Sequence, residues 1–166
     1  MIQWVVEGSR KAKLIERVIV ATDDERIRIT VENMGAEAVM TATGHLSGTE
    51  RVAEVARGLD ASIIINIQGD EPLVTGEMID ALVEVLKDRT IPMATLMARV
   101  SDLPLIKERH IVKVVVDKKG YALYFSRAPV PYKASDYFLQ HIGIYGFQRD
   151  FLLCFARLAP SRLERI

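Results

Sequence analysis

Asp70 stands where an apolar run gives way to charge, in S-I-I-I-N-I-Q-G-D-E-P from Ser62 to Pro72. A carboxylate fixed at that point can ligate a hard divalent cation, and such a cation commonly bridges to the phosphates of a nucleotide. Gly-Asp-Glu-Pro is equally a turn in its own right, since Gly, Asp and Pro each favour turns for local backbone reasons. A second group of polar residues is Ser47-Gly48-Thr49-Glu50-Arg51. It offers backbone N–H groups, a hydroxyl and a guanidinium at one helix start, an arrangement that can hold an anion or the polar edge of a base. The same residues read as a plain capping box. Arg127 follows an aromatic run at Ser126, where its planar fork can grip a carboxylate or phosphate in two parallel bonds or can simply be solvated. His141 and Tyr145 are four residues apart, so on a strand they share a face, where an imidazole and a phenol can bind sugar hydroxyls or a carboxylate. For an isolated pair, a histidine satisfied within the core is the other reading. His45 and His110 lie in loop-like surroundings and receive no role.

The elements that must carry these residues follow from periodicity. Ile63, Ile64, Ile65 and Ile67 form a nearly unbroken β-branched run, the pattern of a strand buried on both faces of a largely parallel sheet. In open α/β sheets the C-terminal end of such a strand is where ligands bind, which puts Gln68 and Asp70 at a site. The chain opens inside a helix over Met1 to Leu14, with Arg10, Lys11 and Lys13 in its last turn. Strands are predicted over Arg17 to Thr22, Glu37 to Thr41 and Pro92 to Val100. Helices are predicted from a Thr22/Glu25 capping box to Met34, from Ser47 with Val52, Val55, Ala56 and Leu59 facing inward, and from Thr75 with Ile79, Leu82, Val83 and Leu86 facing inward. This alternation of strand and helix is the signature of a layered α/β fold. Ile111 to Asp117 and Tyr121 to Ser126 then form a hairpin about Lys118-Lys119-Gly120, a strand runs from Leu139 to Phe147, and a helix from Arg149 to Leu158.

The 166 residues are 49% hydrophobic, enough to bury one core, so a single domain is expected. Lys plus Arg and Asp plus Glu each number 22, so no global basic field argues for nucleic acid. Cys154 has no partner for an intramolecular disulfide, and inside F-L-L-C-F it reads as a buried small apolar residue in a reducing compartment. No apolar run is long enough to cross a bilayer and no signal peptide is visible, so the chain is read as cytoplasmic. There is no Cys/His metal spacing, P-loop, G-x-G-x-x-G or nucleophile elbow.

Taken in order, A-T-D-D at Ala21 to Asp24, H-L-S-G-T-E-R at His45 to Arg51, N-I-Q-G-D-E-P at Asn66 to Pro72, G-Y-A-L-Y-F-S-R-A-P-V-P at Gly120 to Pro131 and H-I-G-I-Y-G-F at His141 to Phe147 closely resemble the 3-deoxy-manno-octulosonate (Kdo) cytidylyltransferases. The resemblance runs over essentially the whole chain. It implies a Rossmann-like nucleotidyltransferase fold with a mainly parallel central sheet and an inserted antiparallel hairpin. It also implies transfer of CMP from CTP to Kdo for lipopolysaccharide synthesis, dependent on Mg2+. By this likeness Asp70 is a magnesium ligand and, with Arg127, catalytic. Ser47, Gly48, Thr49 and Arg51 lie against the nucleotide, and Gln68, Arg127, His141 and Tyr145 face the sugar acid. The partners implied are CTP and Kdo, with no nucleic acid or membrane, and a homodimer of the full-length protein. Relatives that use 8-amino-Kdo or another keto-deoxy sugar acid, and a non-catalytic nucleotide-binding module of the same fold, remain alternatives. The family begins with a strand and an Arg/Ser/Lys-rich turn around the triphosphate and continues beyond Ser161 with a helix and a second metal-binding aspartate. Both ends of this chain therefore read as cut, and the chain alone is expected to be inactive.

Overall fold

The computed structural model describes residues 1–159, 161 and 162. Pro160 and 163–166, where the resemblance expects the chain to lead toward a further helix, lie outside the described residues. The residues gather into two compact units, Met1–Ala94 with Tyr145–Ile166, and Thr95–Ile144.

The first unit carries α1 (Ile2–Ser9), β1 (Ile19–Thr22), α2 (Glu25–Asn33), β2 (Glu37–Met40), α3 (Gly48–Arg57), β3 (Ile63–Asn66), α4 (Gly76–Leu86) and α5 (Arg149–Phe155). The last residues of β7 (Phe138–Gln148) also belong to it. β1 and β2 pair in parallel from Ile19↔Glu37 to Thr22↔Met40, the crossover being α2. β3 pairs with the end of β7 antiparallel, Ile63 opposite Gln148 and Asn66 opposite Tyr145.

This corrects the expectation of a mainly parallel central sheet. The α/β class holds, yet β1 and β2 pair in parallel while β3 takes a returning antiparallel strand as its hydrogen-bonded neighbour. Alternating helix and strand periodicity reports the order of elements along the chain. It does not report which strands become neighbours after a return of this length.

Amphipathic faces build the core of this unit. Ala53 and Ala56 of α3, Ile64 of β3, Phe147 of β7 and Leu152 of α5 cluster together, and Val6, Val31 and Ala36 form a second cluster at α1 and α2. The α4 positions Ile79, Leu82, Val83 and Leu86 are buried as their spacing predicts. Gly146 permits the close approach of α4 to β7, since a β-carbon there would fall 2.5 Å from Leu86 Cδ1. Arg149 fastens α5 to the end of α3 by donating to the carbonyls of Ala56 at 2.9 Å and Arg57 at 3.1 Å.

Local details depart from the sequence reading in several places. Asp24, not Thr22, caps α2: its carboxylate accepts the Arg26 N–H, while Thr22 Oγ1 accepts the Asp24 N–H. α1 ends at Ser9, so Arg10, Lys11 and Lys13 follow the helix rather than occupy its last turn. α5 ends at Phe155, short of Leu158. Cys154 is exposed, because α5 turns Leu152 inward and the residue two positions on points about 200° away around the helix.

The second unit contains most of β4 (Met93–Val100), a 3-10 turn at Leu103–Lys107, β5 (Lys113–Val116), β6 (Ala122–Ser126) and the first part of β7. β5 and β6 form the predicted hairpin, with Lys113 opposite Ser126 and a register shift at Val115/Val116. Gly120 in its turn has φ +88, a left-handed conformation that a side chain would strain. β5 also meets β7 at Lys113↔Gln140, and β4 pairs with β7. Among the described residues, no helix is long and apolar enough to cross a membrane.

Candidate active site

In the first unit the polar residues converge on the start of α3. Ser47 is extended at φ −145, ψ 157 and its Oγ accepts the Glu50 N–H at 3.2 Å, a cap worth about 1 kcal/mol. The reciprocal half of the box is altered, for the Glu50 carboxylate takes the N–H of Leu46, at 2.9 Å. Capping leaves the first-turn N–H groups at Gly48 and Thr49 without intrahelical acceptors, with the positive end of the helix dipole behind them.

The end of β3 packs against this helix start. Asn66 is 2% exposed, and its Nδ2 donates to Thr49 Oγ1 at 3.4 Å. Gln68 Nε2 in turn donates to Asn66 Oδ1 at 3.4 Å. Tyr145 sits opposite Asn66 in the ladder, half-buried, with its ring stacked on Phe147 at 6.3 Å, and burial pushes its phenol pKa up. The structure thus brings Ser47, Gly48, Thr49 and Gln68 together around Asn66, a residue the sequence reading passed over. The signal was present: a lone amide inside I-I-I-N-I must find polar partners if the strand is buried.

Arg51 is engaged within the protein. Its guanidinium meets Asp23 at 3.0 Å and donates to Thr41 Oγ1 at 2.5 Å, which links the A-T-D-D segment to α3. His45, given no role from sequence, contacts the Glu54 carboxylate through Nε2 and faces Glu50 with Nδ1 at 3.8 Å. Its hydrogen bond holds the Glu54 carboxyl below the usual range, and Glu54 also accepts the Ala42 N–H. The loop that leads into Ser47 is therefore stitched to the first turns of α3.

Asp70 lies in an exposed turn just beyond β3, and its carboxylate has no hydrogen-bond or ion-pair partner among the described residues. No group of three His, Cys, Asp or Glu side chains among the described residues could enclose a metal ion. One free carboxylate nevertheless suits magnesium, which is usually held by one or two carboxylates together with substrate phosphates and water.

In the second unit Arg127 is exposed after β6, and its Nη1 donates to the Arg109 carbonyl at 2.9 Å. His141 on β7 is half-buried, which lowers its pKa, and its ring and that of Phe125 meet edge-to-face with centroids 4.8 Å apart. Its Nε2 lies 2.8 Å from Thr95 Oγ1, and that hydroxyl also reaches the carbonyls of Ile144 at 2.9 Å and Ile142 at 3.2 Å. A hydroxyl has one proton to give. Whether that proton goes to a carbonyl or to Nε2 is set by the tautomer of His141.

With this geometry, comparison with known proteins defines the class. The family model described as Cytidylyltransferase matches residues 1–166, and the chain belongs to that family. Its relatives include a protein named 3-deoxy-manno-octulosonate cytidylyltransferase from Syntrophobacter fumaroxidans, 50% identical across 99% of this chain and 69% of the relative. One of the same name from Syntrophotalea carbinolica is 45% identical across 100% of this chain and 72% of the relative. A solved CMP:2-keto-3-deoxy-manno-octonic acid synthetase, complexed with CTP, is similar at 39% identity and a TM-score of 0.91, over 99% of this chain and 69% of that one. HddC from Yersinia pseudotuberculosis, at 11% identity and a TM-score of 0.66 over 92% of this chain and 64% of that one, shares the fold.

Proposed function

We propose that this chain is the cytidylyltransferase that transfers CMP from CTP to Kdo. The anomeric hydroxyl oxygen of Kdo bonds to the α-phosphorus, the bond to pyrophosphate breaks, and the hydroxyl proton passes to solvent. What carries the reading is the cluster of Ser47, Gly48, Thr49, Asn66 and Gln68 at one helix start, in a chain whose solved relative at TM-score 0.91 was determined with CTP.

The chain's own groups suit this chemistry, which needs positioning and charge neutralisation more than a covalent nucleophile. The start of α3 offers N–H groups and hydroxyls to the cytidine. Arg51, already neutralised by Asp23, serves as a brace for that loop. Arg127 meets the carboxylate of Kdo, and the imidazole of His141 serves the sugar acid. Gln68 and Tyr145 offer an amide and a phenol beside the helix start. Asp70 would hold Mg2+, which when bound neutralises charge on the phosphates.

The product feeds lipopolysaccharide synthesis in the cytoplasm, a reducing compartment that suits the lone Cys154. A homodimer fits the edge of β6, where Leu123, Tyr124 and Phe125 are 67%, 60% and 42% exposed. A balanced charge of 22 basic and 22 acidic residues suits small-molecule partners better than nucleic acid. The test is pyrophosphate release by the intact protein with Kdo and Mg2+ and each of CTP, UTP, ATP and GTP. Release with CTP alone supports the reading, and equal release with all four contradicts it.

A further inference from the structure

Lys113 has no exposed surface, yet it carries an ammonium group. Its Nζ donates to the carbonyls of Arg127 at 2.6 Å, Ile111 at 2.8 Å and Glu108 at 3.1 Å. An ammonium has three N–H donors, so all are used, and each goes to main chain rather than to a carboxylate. Burying a cation with no carboxylate bonded to it is costly, and an apolar side chain of the same length would fill the space without that cost. Desolvation lowers the lysine pKa and the nearby Arg127 charge pushes the same way, with the Glu108 carboxylate opposing them in part.

What it holds is specific. The β5–β6 ladder ends at the pair Lys113↔Ser126, so Arg127 is the first residue beyond strand pairing. Lys113 extends the hold by one residue through the Arg127 carbonyl. The other end of Arg127 is tied too, because its Nη1 donates to the carbonyl of Arg109, which lies between the two loop carbonyls that Lys113 also grips. One ammonium thus fixes both the backbone of Arg127 and the loop against which its guanidinium leans. The remaining N–H groups of that guanidinium have no partner among the described residues and stay available to an anion.

We infer that Lys113 is a positioning residue for Arg127, pre-setting its fork for the carboxylate of the acidic substrate. This rests on the proposed role of Arg127. Prior immobilisation removes part of the ordering cost that a long exposed arginine otherwise meets on binding.

The experiment is a double-mutant cycle in the intact protein, reading KM for Kdo, KM for CTP, kcat and the thermal melt for Lys113→Met, Arg127→Ala and the pair. The expected result for Lys113→Met is a rise of about tenfold in KM for Kdo, with KM for CTP nearly unchanged. In the Arg127→Ala background the same substitution should add almost nothing, because its effect travels through Arg127. A purely structural lysine would instead act equally in both backgrounds, or move both KM values together, and either result overturns the inference. An Arg127→Ala variant that raises KM for Kdo beside a folded, unaffected Lys113→Met overturns the positioning role alone. An unaffected Arg127→Ala overturns the assignment of Arg127 and the inference with it. Should Lys113→Met fail to fold, Lys113→Gln, which keeps two donors, enters the same cycle with the same criteria.

Discussion

The carboxamide of Gln68 lies directly over Gly48: a β-carbon at position 48 would sit 3.0 Å from both its Nε2 and its Oε1. The tip of a glutamine can move, so Gly48→Ala should fold well, and the gain in helix propensity at the first turn of α3 favours it slightly. Gln68 must then leave Asn66, and the helix start loses its shape. Titration calorimetry should show CTP binding weakened by about tenfold, beside a melting temperature that is unchanged or slightly raised. Unweakened CTP binding would remove Gly48 from the nucleotide site.

Asp70→Asn preserves shape and withdraws the anionic oxygen that a hard cation prefers. Because the native carboxylate has no partner among the described residues, the melt should be unchanged. Magnesium-dependent turnover should fall on the order of 100-fold or more. Near-native turnover would exclude Asp70 from the metal site.

Arg127→Lys keeps the charge and loses the planar fork. It also loses the Nη1 bond to the Arg109 carbonyl. KM for Kdo should rise far more than KM for CTP, with little change in melting temperature since the side chain is exposed. A matching rise for CTP would contradict the assignment.

Burial holds the His141 pKa below its unfolded value of about 6.5. The unfolded chain then binds a proton that the native protein does not, so stability rises with pH across the window between the lowered native pKa and about 6.5. Above that window the contribution of the neutral ring is fully present, and acidification through it removes that contribution. Urea melts from pH 7 to pH 5 should show less loss for His141→Gln than for the native protein. Parallel losses would place the acid sensitivity elsewhere.

Much of this was legible in the sequence because local signals decide it. The Ser47 and Thr75 caps, the inward faces of α3 and α4 and the β5–β6 hairpin are set by residues within a few positions of one another. Sheet neighbours are not local: β3 meets β7 about eighty residues later, and nothing in I-I-I-N-I states which strand will lie beside it or in which direction. The site followed the same division. Ser47 to Arg51 and Gln68 stood out as motif residues. Asn66, His45 with Glu54, Asp23 with Arg51 and Lys113 with Arg127 emerged only when distant segments came together. Lys113 in particular sits among alternating valines, where a lysine ordinarily faces solvent.

The central claim, transfer of CMP to Kdo, is tested most directly by offering the intact protein CTP, Mg2+ and an equimolar mixture of Kdo and 8-amino-Kdo, and weighing the products by mass spectrometry. The account predicts CMP-Kdo as the dominant product with one pyrophosphate released for each. Dominance of the 8-amino conjugate, or no CMP-sugar at all from folded protein, would contradict it.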